Sequence, residues 1–352
     1  MKKLYFILTI ILLAVTNTLQ AQNDSIYFWK SGTMIHRQSI KTVDLDSITF
    51  TAPDINPNPS TIYAVLNGNP NLSLFVDAID ATNLSDTLNG SVPFTFTVFA
   101  PDNAAFIAAG YTASVIDALP ASEIPALKEL LLNHFLLGAV QSSGLSNNSY
   151  IKTLGKGSAS STNTLSMYVS TTSGVRLNGI SDVTTADIVA SNGIIHIVDA
   201  VIPLPTITNH LVANPNFSTL VSVLTSPEQI ATGLVEVLSG NVGSPFTVFA
   251  PTNSAFNSFD IELGPPGIAG VSANIITNIL KYHVLAGVNV LSNSFTNGQF
   301  YTTFFGQTIL VTVNGGIRIL DAAARLSNII LVDIQCANGV IHALDKVLLP
   351  QL

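Results

Sequence analysis

The chain has 352 residues, enough for two domains of ordinary size. It carries 13 basic and 21 acidic residues, a formal net charge of −8, and only 10% of its residues are charged. Nucleic-acid binding needs clustered Lys and Arg to displace counterions, and the sequence contains no basic stripe, so the composition excludes a nucleic-acid partner. Ser, Thr and Asn crowd the segments between apolar runs, which suits contact with sugars or other proteins.

The first 21 residues are typical of a secretory signal peptide. Met1-Lys2-Lys3 is a basic start, Leu4–Val15 is almost wholly apolar, and Leu19-Gln20-Ala21 offers a cleavage site. The apolar run is too short for a membrane span, which needs about 20 residues. We therefore expect an exported protein with no membrane span, located outside the cell, at the cell surface or in the periplasm.

Residues 22–59 are predicted to form a small N-terminal segment. Ile26–Lys30 and Met34–Ile40 flank Ser31-Gly32, a pattern that indicates a hairpin, and Asp46–Phe50 is a further candidate strand. The proline-containing stretch 54–60 is predicted to be an extended linker.

The rest of the chain is a tandem repeat. Four motifs recur in the same order at offsets of about 145 to 150 residues. They are Asn69-Pro-Asn and Asn214-Pro-Asn, Phe96-Thr-Val-Phe-Ala-Pro and Phe246-Thr-Val-Phe-Ala-Pro, His134 and His283, and Asn192-Gly-Ile-Ile-His and Asn338-Gly-Val-Ile-His. We place one domain at 60–204 and its copy at 205–352, each long enough to bury its own core.

Both repeats predict the same elements in the same order. Each opens with an Asn-Pro turn and a helix, continues with an apolar strand and an amphipathic helix that carries the histidine near its end, and closes with an apolar strand. The predicted bounds are Leu72–Asp80 and Phe217–Leu224, Phe96–Phe99 and Phe246–Phe249, Ile124–Leu137 and Ala273–Leu285, and Ile194–Ile202 and Val340–Leu349. Helices mixed with antiparallel strands indicate an α+β fold.

These motifs resemble the fasciclin domain family. The Phe-Thr-Val-Phe-Ala-Pro block, which includes Asn103 or Asn253, is similar to the family's first signature, and the Asn-Gly block is similar to its second. The resemblance implies two tandem domains, each a wedge-shaped antiparallel β-sandwich with flanking helices. It also implies a secreted or surface protein of adhesion, matrix or biofilm, without known catalytic residues.

The resemblance also nominates partner-binding residues. An Asp-Ile pair before the second signature has been implicated in partner binding in the family, and both repeats keep it, as Asp187-Ile188 and Asp333-Ile334. Tyr282-His283 resembles the family's Tyr-His motif, whereas the first repeat has Asn133 in place of the tyrosine. An aspartate at a strand edge beside an inward isoleucine also fits packing alone, so both roles stay open.

The remaining motif residues are predicted to be structural. This group comprises His134, His196, His342, Asn103, Asn253, Asn192 and Asn338. The sequence has no His-Glu-x-x-His, no Gly-x-Ser-x-Gly and no paired Cys ligands, so we expect no catalytic residues, no metal, no cofactor and no enzyme activity. The single Cys336 is interpreted as a buried thiol, with an intermolecular disulfide as the alternative.

Two functions follow as hypotheses. The first is a non-catalytic adhesion or matrix-binding protein that presents two modules to a surface or matrix protein or glycan. The second is an extracellular carrier or receptor that holds a small molecule or sugar in a cleft between the domains. A scaffold that docks through its N-terminal hairpin is a third option, and the sequence leaves the ligand and the oligomeric state open.

Overall fold

The computed structural model describes residues 25–30, 33–39 and 60–351, in two units that divide between Asn58 and Pro59. In the first unit, β1 (Ser25–Lys30) and β2 (Thr33–Ser39) pair antiparallel, as the hairpin prediction required. The expected signal peptide, the strand predicted at Asp46–Phe50 and most of the linker predicted at 54–60 lie outside the described residues.

The second unit contains two domains with the same plan, and the first has seven strands. These are β3 (Phe96–Pro101), β4 (Phe135–Leu137), β5 (Ser149–Lys156), β6 (Thr164–Ser170), β7 (Arg176–Leu177), β8 (Ser181–Ala190) and β9 (Gly193–Val198). Their order across the sheet is β4-β3-β9-β8-β7-β6-β5.

Six short helices accompany this sheet. They are α1 (Ile62–Asn67), α2 (Ser73–Ala81), α3 (Ser85–Leu88), α4 (Asn103–Ala108), α5 (Ala113–Asp117) and α6 (Ile124–Leu132). Several begin at polar caps: the side chains of Thr61, Asp102 and Thr112 accept hydrogen bonds from backbone N–H groups in the first turns of α1, α4 and α5. Capping of this kind lets helices of only one or two turns persist against the sheet.

The second domain repeats the arrangement. Its helices are α7 (Ile207–Ala213), α8 (Ser218–Leu224), α9 (Pro227–Ile230), α10 (Leu234–Ser239), α11 (Asn253–Leu263) and α12 (Ala273–Tyr282). Its strands are β10 (Phe246–Pro251), β11 (Val284–Ala286), β12 (Gln299–Thr302), β13 (Thr308–Thr312), β14 (Arg318–Leu320), β15 (Leu326–Cys336) and β16 (Gly339–Leu344), in the order β11-β10-β16-β15-β14-β13-β12. The α+β prediction is thus confirmed.

Each domain has two apolar cores because alternate residues of the central strand face opposite sides of the sheet. In β3, Val98 and Ala100 pack in the cluster under the helices, while Phe99 packs in a second cluster with residues of β6 and β9 such as Met167 and Val198. Strand β8 shifts register twice against β9, between Val183 and Ile188. Bulges bend a strand, so β8 carries the sheet around the second core as one layer of a sandwich.

One pairing departs from the expected antiparallel sandwich. Strands β3 and β9 run parallel, with Phe96 opposite Gly193, and β10 and β16 do the same, with Phe246 opposite Gly339. A Cβ on Gly193 would lie 1.9 Å from the Phe96 carbonyl oxygen, so only glycine permits this approach. The Asn-Gly block therefore places the last strand of each domain beside its first.

The helix that carries the histidine is shorter than predicted in both domains. Helix α6 ends at Leu132 and α12 at Tyr282, and a strand begins directly after each histidine. The His134 ring explains the early end, because its Nδ1 donates to the Leu130 carbonyl 2.8 Å away and so satisfies a group of the last turn. The closing strands are also shorter than predicted and end at Val198 and Leu344.

Candidate functional site: the Asp-Ile corners and the domain junction

Each Asp-Ile pair occupies a bulged corner of the long strand before the Asn-Gly turn. Asp187 and Asp333 both have φ of +61°, a left-handed conformation that non-glycine residues seldom adopt. The Asp187 carboxylate accepts from the Ser142 backbone N–H at 2.7 Å and from its hydroxyl at 2.6 Å. Asp333 accepts from the same two groups of Ser292. These hydrogen bonds lower the pKa of Asp187 and fix both corners.

A histidine on the neighbouring strand supports each corner from below. His196 Nδ1 accepts from the Asp187 N–H at 3.2 Å, while its Nε2 donates to the Val140 carbonyl at 3.0 Å. In this arrangement Nδ1 is the acceptor of the ring and Nε2 is its donor. In the second domain the equivalent residues are His342, Asp333 and Val290, at 3.3 and 2.8 Å.

The two corners differ in what surrounds them. In the second domain Ile330, Leu331 and Val332 precede Asp333 and are 56%, 39% and 39% exposed. We call these three residues the Ile330–Val332 strip. The first domain has Thr184, Thr185 and Ala186 at the same positions, also exposed. Ile334 is buried, whereas its counterpart Ile188 is only partly buried.

Tyr282 and His283, which the resemblance nominated for partner contact, are both buried. The Tyr282 hydroxyl donates to the Thr308 carbonyl at 2.8 Å and accepts from the Ala322 N–H at 2.9 Å. Burial raises the pKa of Tyr282 to about 12. In this structure the pair supports the sheet from inside, and the prediction of a binding role for it stays a prediction.

The helix-end histidines make matching contacts in the two domains. His134 Nε2 accepts from the Ile202 N–H at 2.9 Å, and His283 Nε2 accepts from the Leu348 N–H at 2.9 Å. Each Nδ1 donates to the carbonyl four residues earlier. Burial lowers the pKa of each ring to about 4, so both are neutral and join the helix end to the segment after the last strand.

The motif asparagines are also used inside the domains. Asn192 accepts from the Ile62 N–H at 2.8 Å and donates to the Leu88 carbonyl at 2.9 Å. Asn103 accepts from the Leu74 N–H at 3.0 Å. Their copies Asn338 and Asn253 accept from Ile207 and Thr219, at 3.0 and 2.9 Å. Asn192 and Asn338 thus connect helices to the turn before the last strand, whereas Asn103 and Asn253 connect two helices of their domain.

A second feature is the junction between the domains, whose residues no sequence motif identified. Tyr150 of β5 places its ring 5.5 Å from the ring of His210 in α7, and its hydroxyl accepts from Asn214 Nδ2 at 3.1 Å. Tyr150 thereby packs against the core of the second domain. Tyr168 of β6 lies behind it, with the two ring centroids 5.2 Å apart and the ring planes tilted by 57°.

Polar contacts complete the junction. Ser166 Oγ accepts from the Gln335 N–H at 3.0 Å, and Lys152 Nζ donates to the Asp333 carbonyl at 2.9 Å. Burial lowers the pKa of Lys152. Burial and then the Lys152 charge lower the pKa of His210 to about 3, so His210 is neutral at the junction.

A close backbone approach tightens the same junction. Gly157 follows β5, and a Cβ there would lie 2.2 Å from the Ala337 Cα. The next residues bond to the Ala337 carbonyl, through the Ala159 N–H at 2.8 Å and the Ser158 hydroxyl at 3.1 Å. The loop after β5 of the first domain is therefore seated on the Asn-Gly corner of the second.

A groove of about 360 Å³ lies beside this junction. Its lining combines apolar side chains of both domains, such as Ile180 and Val212, with the amides of Asn178 and Asn209. The buried Asn178 Nδ2 has no hydrogen-bond partner among the residues described. A groove of this size and mixed lining falls within the range of small-molecule sites.

Within residues 25–30, 33–39 and 60–351, no three His, Cys, Asp or Glu side chains come together as metal ligands. The same described residues include no helix with the length and apolar character needed to cross a membrane. Cys336 is a buried free thiol, and burial raises its pKa.

The fold is thus that of a tandem pair of α+β modules held together through a polar junction, and comparison with known proteins places it. The fasciclin domain family matches residues 70–205 and again 215–350. The chain belongs to the fasciclin domain family, as its sequence motifs indicated.

Relatives share one or both domains. An uncharacterized protein of Synechocystis is 34% identical over 153 residues, which cover 42% of this chain and 98% of the relative. Human periostin is 28% identical over 283 residues, covering 77% of this chain but 30% of periostin. Among solved structures, a FAS1 domain pair from the insect cell adhesion molecule fasciclin I aligns with a TM-score of 0.44 and 18% identity, over 82% of this chain and 95% of that one.

Proposed function

We propose that this protein is a non-catalytic adhesion or matrix-binding protein outside the cell, which holds a protein partner at the Asp333 corner of its second domain. The observation that carries the proposal is the Ile330–Val332 strip. Three consecutive apolar side chains are exposed there on a corner that hydrogen bonds hold rigid. Exposed apolar patches with a polar rim are typical of protein interfaces.

The internal contacts of the motif residues support the same proposal. The four motif histidines are each hydrogen-bonded to backbone on both ring nitrogens, so they are occupied with holding strands and helices in place. Such a scaffold offers a fixed surface, and a preorganised surface loses less conformational entropy when a partner binds. The family resemblance, which implies adhesion and matrix proteins, points the same way.

The proposal is tested by exchanging the strip for the residues of the first domain. The triple variant Ile330→Thr, Leu331→Thr, Val332→Ala keeps the corner but removes the apolar surface, and Ile261→Thr is a matched control at an exposed helix position. Binding of the purified full chain to native surface material should fall at least about tenfold in the triple variant. The control should bind like the wild type.

Equal binding of wild type and triple variant would overturn the assignment of the strip. A loss of binding after the material is stripped of glycans, with the triple variant unaffected, would instead identify a glycan partner elsewhere on the surface. Thermal unfolding of each variant checks that the fold is intact.

A second candidate function, a carrier of a small molecule or sugar, is favoured by the groove beside the junction. Asn178 lines this groove with its Oδ1 bonded to the Tyr168 N–H and its Nδ2 without a described hydrogen-bond partner, and a polar ligand that reached Nδ2 would satisfy it. Ligands that bind the folded state raise the melting temperature. A panel of sugars and small apolar molecules should therefore shift the wild type but not Val212→Trp, which fills the groove. No shift with any compound would count against a carrier.

A further inference from the structure

The junction between the two domains joins two different surfaces, and the chain carries a second example of each. The first domain contributes the outer face of β5 and β6, which we call the donor face. The second domain contributes α7 and the end of β15, which we call the acceptor face. A contact between two different surfaces is heterologous and can in principle be repeated.

The second domain has its own donor face, and its register is fixed by matching hydrogen bonds. Asn147 accepts from the Thr171 N–H in the first domain, and Asn297 accepts from the Val313 N–H in the second, at 2.8 and 3.2 Å. Three residues further along, Tyr150 therefore corresponds to Phe300. Tyr150 is packed in the junction, whereas Phe300 is 65% exposed.

The first domain likewise has its own acceptor face. Ile62 and Ile207 both donate to the asparagine of the Asn-Gly block, so His210 in α7 corresponds to Val65 in α1. Counting back from the same asparagines, Gln335 corresponds to Val189, which is 59% exposed. Gln335 itself is buried, and its N–H donates to Ser166 of the first domain.

Both free faces have apolar residues at positions where the junction has polar ones. On the donor side Tyr150 and Tyr168 become Phe300 and Leu310, which oppose each other across β12 and β13 as the tyrosines do across β5 and β6. On the acceptor side His210 and Gln335 become Val65 and Val189. The polar side chains at these four junction positions are thus replaced on both free faces by apolar ones, so contact between the two free faces would bury apolar surface on both sides.

We infer that the Phe300 face of one copy docks on the Val65–Val189 face of a second copy of this chain, in the manner of the internal junction. Each docking leaves one free donor face and one free acceptor face at the two ends. The contact can therefore repeat head to tail, and the assembly grows past a dimer instead of closing as a two-fold pair. This inference does not depend on the proposed function, because it concerns a different surface and a different partner.

The contact is expected to be weaker than the internal junction. The first domain adds its loop around Gly157, which bonds to the Ala337 backbone. In the second domain the connection between β12 and β13 is only residues 303–307, and no such loop is available. Covalent linkage also gives the internal contact a high effective concentration, which separate copies lack. Association should therefore depend on concentration.

Sedimentation velocity of the purified chain, both domains included, across a concentration series tests the inference. The average mass should rise continuously past that of a dimer. Phe300→Glu and Val189→Glu should each weaken association at least about tenfold, because a carboxylate would be buried against apolar side chains. Ile261→Glu, at an apolar position of the second domain that is 82% exposed, should leave association unchanged.

Mixing the two variants gives the decisive result. The Phe300→Glu copy keeps a working acceptor face and the Val189→Glu copy keeps a working donor face, so an equimolar mixture should form dimers and stop there. A wild type that is monomeric at every concentration would overturn the inference. So would a mixture that stays monomeric, a wild type that stops at a dimer, or an equal effect of Ile261→Glu.

Discussion

The two domains have the same hydrogen bonds at the helix-end histidine, but they differ at the residue just before it. Both have the histidine at the helix end, with the same two backbone partners at nearly the same distances. The preceding residue is Tyr282 in the second domain and Asn133 in the first. Tyr282 bonds to Thr308 and Ala322 within its own domain, whereas Asn133 donates to the carbonyls of Ile202 and Pro203, at the start of the interdomain connection.

The histidine therefore makes the same contacts in both domains, whereas the residue before it makes different ones. The tyrosine hydroxyl bonds only within its own domain, while the asparagine accepts from the Thr153 hydroxyl of β5 and also donates to the segment that leads to the next domain. Gly155 makes room for this, since a Cβ there would lie 2.8 Å from the Asn133 nitrogen. Where the first domain departs from the Tyr-His motif, the substituted residue therefore bonds to the connection between the domains.

Acid should lower the free energy of unfolding more than any of the substitutions below, because the buried rings of His134 and His283 are neutral in the folded state. The pKa of His134 and of His283 is about 4 in the folded state, below the usual 6.5, so below pH 6.5 the unfolded chain binds more protons. Stability is thus fully present above pH 6.5 and is lost as pH falls towards 4, by about 3 kcal/mol for each ring. Urea unfolding at several pH values measures this.

His210→Val provides the matched control for the acid effect, because valine is the residue that the first domain has at this position. The variant should lose part of the pH dependence and keep the rest. A free energy of unfolding that does not change between pH 7 and pH 4.5 would contradict neutral buried histidines.

Removing either helix-end histidine should cost about 3 to 4 kcal/mol at pH 7. His134→Ala and His283→Ala each leave a buried carbonyl and a buried N–H without partners and open a cavity. The two losses should be similar if the frame is the same in both domains. Losses that differ by more than about 2 kcal/mol would break the comparison, and Ile261→Ala, on an exposed helix surface, serves as the control.

Tyr282→Phe should have an intermediate effect, about 2 kcal/mol. It removes one oxygen and leaves the Thr308 carbonyl and the Ala322 N–H without their bond to it. Tyr301→Phe is a suitable control, because it makes the same chemical change at a partly buried position of the neighbouring strand. Chemical denaturation of both variants gives the difference, and equal stabilities would show that the hydroxyl contributes nothing.

Asn133→Ala should have the smallest effect on stability, about 1 kcal/mol, but a specific effect on the connection between the domains. The Ile202 and Pro203 carbonyls lose the amide that holds them. Limited proteolysis should then cut near Pro203 faster than in the wild type, whereas Tyr282→Phe should leave that rate unchanged. An unchanged cleavage rate in Asn133→Ala would show that this side chain does not hold the connection between the domains.

Much of the fold could be predicted from the sequence because it repeats. The Asn-Gly and Phe-Thr-Val-Phe-Ala-Pro blocks each correspond to a strand, and the Asn-Pro turns precede helices as expected. The parallel pairing of these two blocks could not be predicted, since Phe96 and Gly193 are far apart in sequence and apolar runs do not specify direction. The helix ends were missed because the His134 ring, and not a capping residue in the usual position, ends the helix.

The candidate site was predictable only in part. The Asp-Ile pairs were found from their spacing, but their left-handed backbone and serine partners are tertiary features. His210 carried no signal, because it lies outside the repeated motifs and meets Tyr150 only when the two domains pack. A comparison of the repeats at unlike positions, such as His210 with Val65, would have been the one available clue.

The lone thiol of Cys336 has a practical consequence. It is fully buried in the core of the second domain, next to the strand end on which the first domain rests. A maleimide can therefore react only during a transient separation or local unfolding there. The rate of alkylation therefore measures how often this region opens, without any engineered label. A slower reaction in the presence of a ligand or a second copy would show that binding suppresses the opening.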